Sequence, residues 1–137
     1  MKIMYCHDGT ENAQQALDKA IRFFKALKPE VILICVAHDI LDASLEDETI
    51  TNEYQAECSA IMRKAAERVA ENGLDVDVMM ATGDPRKMIL GAIEKKSPDV
   101  VVIARKERSA QESVFHKSVS AYLVKNAGCD LLIMGPA

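Results

Sequence analysis

The stretch from Ala104 to Ser118 stands where a phosphate-cradling loop would stand, between a buried strand reading PDVVVIA and a helix expected to begin near Ser118. Such a loop brings backbone N–H groups against phosphate oxygens, and glycine is what permits that approach. Ala104, Glu107 and Lys117 occupy the positions where glycines are needed. The chemistry left in the run RKERSAQESVFHKS is ionic. Arg105, Lys106, Arg108 and Lys117 could hold an anion through their side chains, Glu107 and Glu112 oppose it, and a charged loop can equally be a solvated one.

A second polar group, His7-Asp8-Gly9-Thr10, joins the first strand to the first helix. One reading makes Asp8 a binding group. In the other, Asp8 and Thr10 satisfy the open N–H groups of the helix start, with Thr10 as N-cap. His38 leaves the second strand on the same side, so His7, Asp8 and His38 could converge, but a metal site needs a further well-spaced ligand and none is identified. His116 reads as solvated. No Ser-His-Asp or Cys-His arrangement can be drawn, and no pair of carboxylates is singled out by position. The expectation is therefore a protein with no catalytic residues, no metal and no enzyme activity. Cys6, Cys35, Cys58 and Cys129 form no C-x-x-C pair and mostly sit in apolar runs, so they read as free thiols behaving as small hydrophobes.

Two hydrophobic periods alternate along the chain to position these groups. KIMYC is a short apolar run, and after Thr10 the residues Ala13, Ala16, Leu17, Ala20, Ile21 and Phe24 fall on one helical face. VILICVA after Pro29 reads as a strand buried on both faces, as in a parallel sheet covered by helices. Residues 38 to 53 are expected to form an acidic connection. A long helix follows, with Tyr54, Cys58, Ile61, Ala65 and Val69 inward and Gly73 as C-terminal cap. Leu74, Val76, Val78 and Met80 alternate with Asp75, Asp77 and Met79, an edge strand with one wet face. Asp84 and Pro85 start a third helix with Ile89, Ala92 and Ile93 as its stripe and Lys95 and Lys96 at its end. VVVIA, a helix from about Ser118 to Asn126 and the strand CDLLIM close the chain. Five strands alternating with helices predict an α/β domain over residues 1–137, an open parallel sheet with helices on both faces. Ligands in such sheets bind beyond the carboxyl ends of the strands, where the strand order reverses.

A chain of 137 residues suits one core. Its net charge of −4 argues against nucleic acid or an anionic membrane as general partner. MKIMYCHDG is too briefly apolar for a secretory signal or a membrane span, so the expected location is cytoplasmic.

In order and spacing these segments resemble the universal stress protein family over nearly the whole chain. MYCHDGTENAQQAL resembles its first-strand signature with Asp8 in the aspartate position, LICVAH its second strand, and ATGDPRKMIL its Gly-x-Pro segment. PDVVVIA through KSVSAYLVKNAGCDLLIM resembles its closing third. The resemblance implies the strand order 3-2-1-4-5, with the reversal between strands one and four. It also implies a homodimer paired antiparallel through the last strand. Nucleotide-binding members carry Gly, two residues, Gly, nine residues, then Gly before Ser or Thr; aligned from Ile103, only Ser118 of that motif survives here. Asp8, Val36, Ser118 and Val119 match positions that contact adenine nucleotide in binding members. The resemblance therefore implies a stress-response protein of the kind that acts through protein contacts without ATP or another cofactor. The alternative is an adenine-nucleotide switch, taking ATP or AMP with Mg and slowly hydrolysing ATP, in which Lys106, Arg108 and Lys117 replace backbone amides.

Overall fold

The computed structural model describes residues 1–38, 48–105 and 114–135, with the side chains of 37–38, 48–55 and 114–118 outside that description. Strand β1 (Lys2–Cys6) is followed by helix α1 (Glu11–Phe24), β2 (Glu30–His38), α2 (Glu48–Glu71), β3 (Val76–Gly83), α3 (Pro85–Lys96), β4 (Val100–Ala104), α4 (Val114–Asn126) and β5 (Asp130–Met134). The sheet is parallel in the order β3-β2-β1-β4-β5. The central strand β1 sets Cys6 level with Ile34 of β2 and Ile103 of β4, so the loops after β1 and β4 leave the sheet side by side.

Because alternate strand residues point to opposite faces, the sheet divides the interior into two cores. On the first face Tyr5, Leu33 and Cys35 meet Ala13 and Leu17 of α1 and Cys58, Met62 and Val69 of α2. On the second, Met4, Ile34 and Val36 meet Ile89 and Ile93 of α3 and Val119 and Leu123 of α4. Fully burying one of these aliphatic side chains contributes roughly 1.5–3 kcal/mol.

The expected caps are in place. Thr10 Oγ1 accepts the Ala13 N–H at 3.1 Å, and Asp84 Oδ1 accepts the Arg86 N–H at 3.0 Å one residue before Pro85. Gly73, just past α2, takes φ +75.

Four expectations need correction. Helix α4 begins at Val114 and not near Ser118, so its first turn takes in residues expected to be loop. Helix α2 begins at Glu48, inside the stretch expected to be a connection to residue 53. The buried stripe of α2 is Cys58, Met62, Ala65 and Val69, with Ile61 only half-buried, a rotation the period alone does not fix. On β3, Val78 and Met80 are exposed while Met79 and Ala81 pack on the second core, because this edge strand is only partly covered on its first face. The inward placing of Tyr54 lies outside the described residues, as does most of the acidic connection.

Candidate functional site

The crevice at the carboxyl ends of β1 and β4 is bounded by two loops of different character. In the first, Gly9 takes φ +85, a left-handed conformation that favours glycine, and thereby turns its N–H onto His7 Nδ1 at 3.0 Å. With Nδ1 accepting, Nε2 carries the proton and donates to Gln14 Oε1 at 3.1 Å. His7 is buried, and that burial pushes its pKa below the ordinary 6.5 against the opposing pull of Gln14 and Asp8. Asp8 Oδ1 accepts both the N–H of Thr10, at 3.0 Å, and its hydroxyl, at 2.6 Å. Thr10 in turn caps α1. Asp8 thus helps build the helix start, as the structural reading of this loop requires.

The second loop leaves β4 through Arg105, which is stitched to two neighbours. Its N–H donates to the Met134 carbonyl at 2.7 Å, and its own carbonyl accepts Asn12 Nδ2 at 2.6 Å. Its guanidinium lies on Gly135, where a Cβ would come within 2.6 Å of Nη2. Asn12 Oδ1 is buried without a hydrogen-bond partner among the described residues. Asn12 and Arg105 thereby tie the start of α1 to the exit of β4. Asn12, Gln14 and Gly135 were not singled out in the sequence: Asn12 and Gly135 meet Arg105 from far along the chain, and Gln14 meets His7 across a loop and a helix start that no spacing rule connects.

The other sequence-derived positions are placed as follows. Ala104 is 2% exposed, with its methyl in the first core among Tyr5, Leu17 and Met134, so it fills core space. Val36 and Val119 lie together in the second core, so their side chains are packing groups and leave only backbone atoms for a ligand. Ser118 is the fifth residue of α4. In a helix the N–H groups from the fifth position onward bond to carbonyls one turn back, so the Ser118 amide is not among the open donors of the helix end. The side chains of His38, His116, Lys117 and Ser118 lie outside the described residues, as do Lys106, Glu107, Arg108 and Glu112 altogether. Among the described residues no group of three or more His, Cys, Asp or Glu side chains could hold a metal ion, and no helix is long and apolar enough to cross a membrane.

Beside the first loop, α1 and α2 enclose a cleft of about 350 Å³ walled by Thr10, Gln14 and Asp18 on one side and Ile61, Lys64 and Arg68 on the other. Gln14 Nε2 reaches Asp18 at 3.4 Å, and Asp18 pairs with Arg68 at 3.5 Å in a solvent-exposed ion pair of small energetic weight.

The model of the universal stress protein family matches residues 1–135. The chain belongs to this family. A universal stress protein of Bacillus subtilis, YxiE, is 25% identical over 97% of both chains. Among solved structures, an Arabidopsis thaliana universal stress protein with AMP bound superposes with TM-score 0.76 at 19% identity, over the whole of this chain and 92% of its own. A universal stress protein in complex with cAMP does so with TM-score 0.74 at 20% identity, over all of this chain and 98% of its own. At those identities the two structures speak for the fold, and the strand order of this universal stress protein is the one the sequence resemblance implied.

Proposed function

We propose that this universal stress protein is a cytoplasmic, non-catalytic homodimer that acts through protein contacts and does not use ATP. The observation that carries the reading is the start of α4 at Val114. A polyphosphate would need open amides near residues 117 and 118, and in this arrangement the Ser118 amide is spent within the helix. Two further features support it. Asp8 Oδ1 is engaged by Thr10. The sequence also sets Glu107, a carboxylate, where a binding member has glycine. The residues present do not fit a triphosphate held by backbone amides.

The dimer part rests on β5, an outer strand of the sheet whose Ile133 is 48% exposed. An apolar sheet edge invites pairing with a second copy. The cytoplasmic part rests on four free thiols, which suit a reducing compartment.

One observation favours a second reading, an adenine-nucleotide switch: structures of the same fold hold AMP and cAMP. A monophosphate needs fewer donors than a triphosphate, and Lys106, Arg108 and Lys117 are basic.

Calorimetry with Mg-ATP and with AMP at fixed salt separates the two. The expected result is a dissociation constant on the order of a millimolar or weaker for both, worth no more than about 4 kcal/mol, with no nucleotide released on denaturing the purified protein. Micromolar binding that Lys117→Ala abolishes would establish the switch instead. Glu107→Gly with Lys117→Gly should strengthen ATP binding. Adding Ala104→Gly removes a core methyl, so its folding must be checked alongside. Light scattering at tens of micromolar should give a dimer, and Leu132→Glu should give monomer or insoluble protein. A monodisperse wild-type monomer would remove the dimer from the proposal.

A further inference from the structure

We propose that Cys35 and Cys58 are a site of reversible oxidation, closing to a disulfide that staples α2 to β2 when a peroxide reaches the pair. Cys35 lies on β2 and Cys58 on α2, in the same core and only 4% and 6% exposed. The two side chains are neighbours, close enough for Cys58 to act electrostatically on Cys35. Both are thiols in this structure. The sheet isolates the pair: Cys6 packs in the second core, and half-buried Cys129 rests against that same core. Cys35 therefore has one thiol within reach.

The chemistry balances with one equivalent of peroxide. The Cys58 sulfur attacks a peroxide oxygen, the O–O bond breaks, and the departing hydroxide takes up the thiol proton as water, leaving a sulfenic acid on Cys58. The Cys35 sulfur then attacks the sulfenic sulfur, the S–O bond breaks, and hydroxide leaves with the Cys35 proton as a second water. The two sulfurs have lost two electrons and the peroxide has gained them.

The surroundings make the reaction slow. Burial, with Cys58 alongside, pushes the Cys35 thiol up to about 12, which slows its attack as a nucleophile. Bond formation brings the sulfurs to about 2 Å, a shift that α2 must absorb against the sheet. Since neither sulfur faces solvent, the oxidant enters only when α2 opens locally from β2. Closure is expected over minutes to hours. Once formed, the bond ties residues 36–57 into a covalent loop and restrains that opening.

The test uses the reduced full chain treated with millimolar hydrogen peroxide under native conditions, quenched in acid, alkylated in denaturant and mapped by mass spectrometry without reductant. The expected product joins the Cys35 and Cys58 peptides with the loss of two hydrogens, and dithiothreitol reverses it. The Cys6→Ser, Cys129→Ser double variant should keep the link. Cys58→Ser should lose it and leave Cys35 open to alkylation after denaturation. Recovery of both cysteines fully alkylated, after Cys129 has been consumed, overturns the proposal. So does linkage of Cys35 to Cys6 or Cys129, or a native spread of pairings equal to that found in urea.

Discussion

The two faces of the sheet are built from the same strands yet carry different chemistry. The second, under α3 and α4, is mainly an aliphatic core of Met4, Ile32, Ile34, Val36, Ile89 and Leu123, with Cys6 among them. The first, under α1 and α2, adds polar and reactive groups: the Tyr5 hydroxyl donating to the Ala13 carbonyl, His7 held between Gly9 and Gln14, and the Cys35–Cys58 pair. Burial also pushes the Tyr5 hydroxyl well above its ordinary pKa, so it stays a donor. The division teaches where stability and chemistry reside. One face is held mainly by transfer of apolar surface, whereas the other also depends on polar groups having partners, since an unpartnered buried donor or acceptor costs about 1–3 kcal/mol.

The strongest way to break the comparison is to cut the aliphatic face. Ile89, 1% exposed on α3, packs in the second core. Ile89→Ala should cost about 2–5 kcal/mol from lost transfer energy and the cavity left behind, a large share of the 5–15 kcal/mol typical of a domain. Urea unfolding would read this as a lower midpoint at unchanged slope. A loss under about 1 kcal/mol would mean that α3 repacks and that this face is less tightly specified than its burial implies.

A smaller effect separates the two helix starts. Thr10 caps α1 and also donates its hydroxyl to Asp8, whereas Asp84 caps α3 with a carboxyl that Arg86 holds below the usual range. Thr10→Ala should cost about 1–2 kcal/mol, at the upper end for caps, because Asp8 loses its hydroxyl donor as well. Asp84→Ala should cost less, about 0.5–1 kcal/mol. Thermal melts of the two variants side by side test the order, and a larger loss at Asp84 would show that the Asp8–Thr10 link contributes little.

Much of this architecture was legible in the sequence, for a physical reason: apolar runs of period two and stripes of period 3.6 are written residue by residue, and caps are local. Thr10, Asp84 and Pro85 could be read directly. The strand order came from the family resemblance, since periodicity does not say which strands are neighbours. The start of α4 escaped because a charged run precedes it and blurs the helical period. The exposure of Val78 and Met80 escaped because alternation assigns a face but not its cover. The Asn12–Arg105 tie and the Cys35–Cys58 contact could not be seen at all. They join residues on different elements, and no spacing rule connects them.

The smallest effect, and the most selective for the first face, is that of acid on His7. Its burial lowers its pKa in the folded protein below the 6.5 expected of the unfolded chain. Above 6.5 both states hold neutral imidazole and nothing changes. As pH falls below 6.5 the unfolded state takes a proton that the folded state refuses, so unfolding is favoured progressively until the folded pKa is reached, and no further below it. Protonation also puts a hydrogen on Nδ1, which must then give up the Gly9 N–H. Urea midpoints should therefore decline as pH falls from about 6.5 toward 5, before the carboxylates titrate. His7→Gln keeps one acceptor and one donor but no titrating group, and it should flatten that limb while leaving the neutral-pH midpoint lower or equal. Among the described residues His7 is the buried histidine, so the decline should shrink when it is replaced. An acid decline of the same size in His7→Gln would place the sensitivity elsewhere and remove His7 as the titrating element of the polar face.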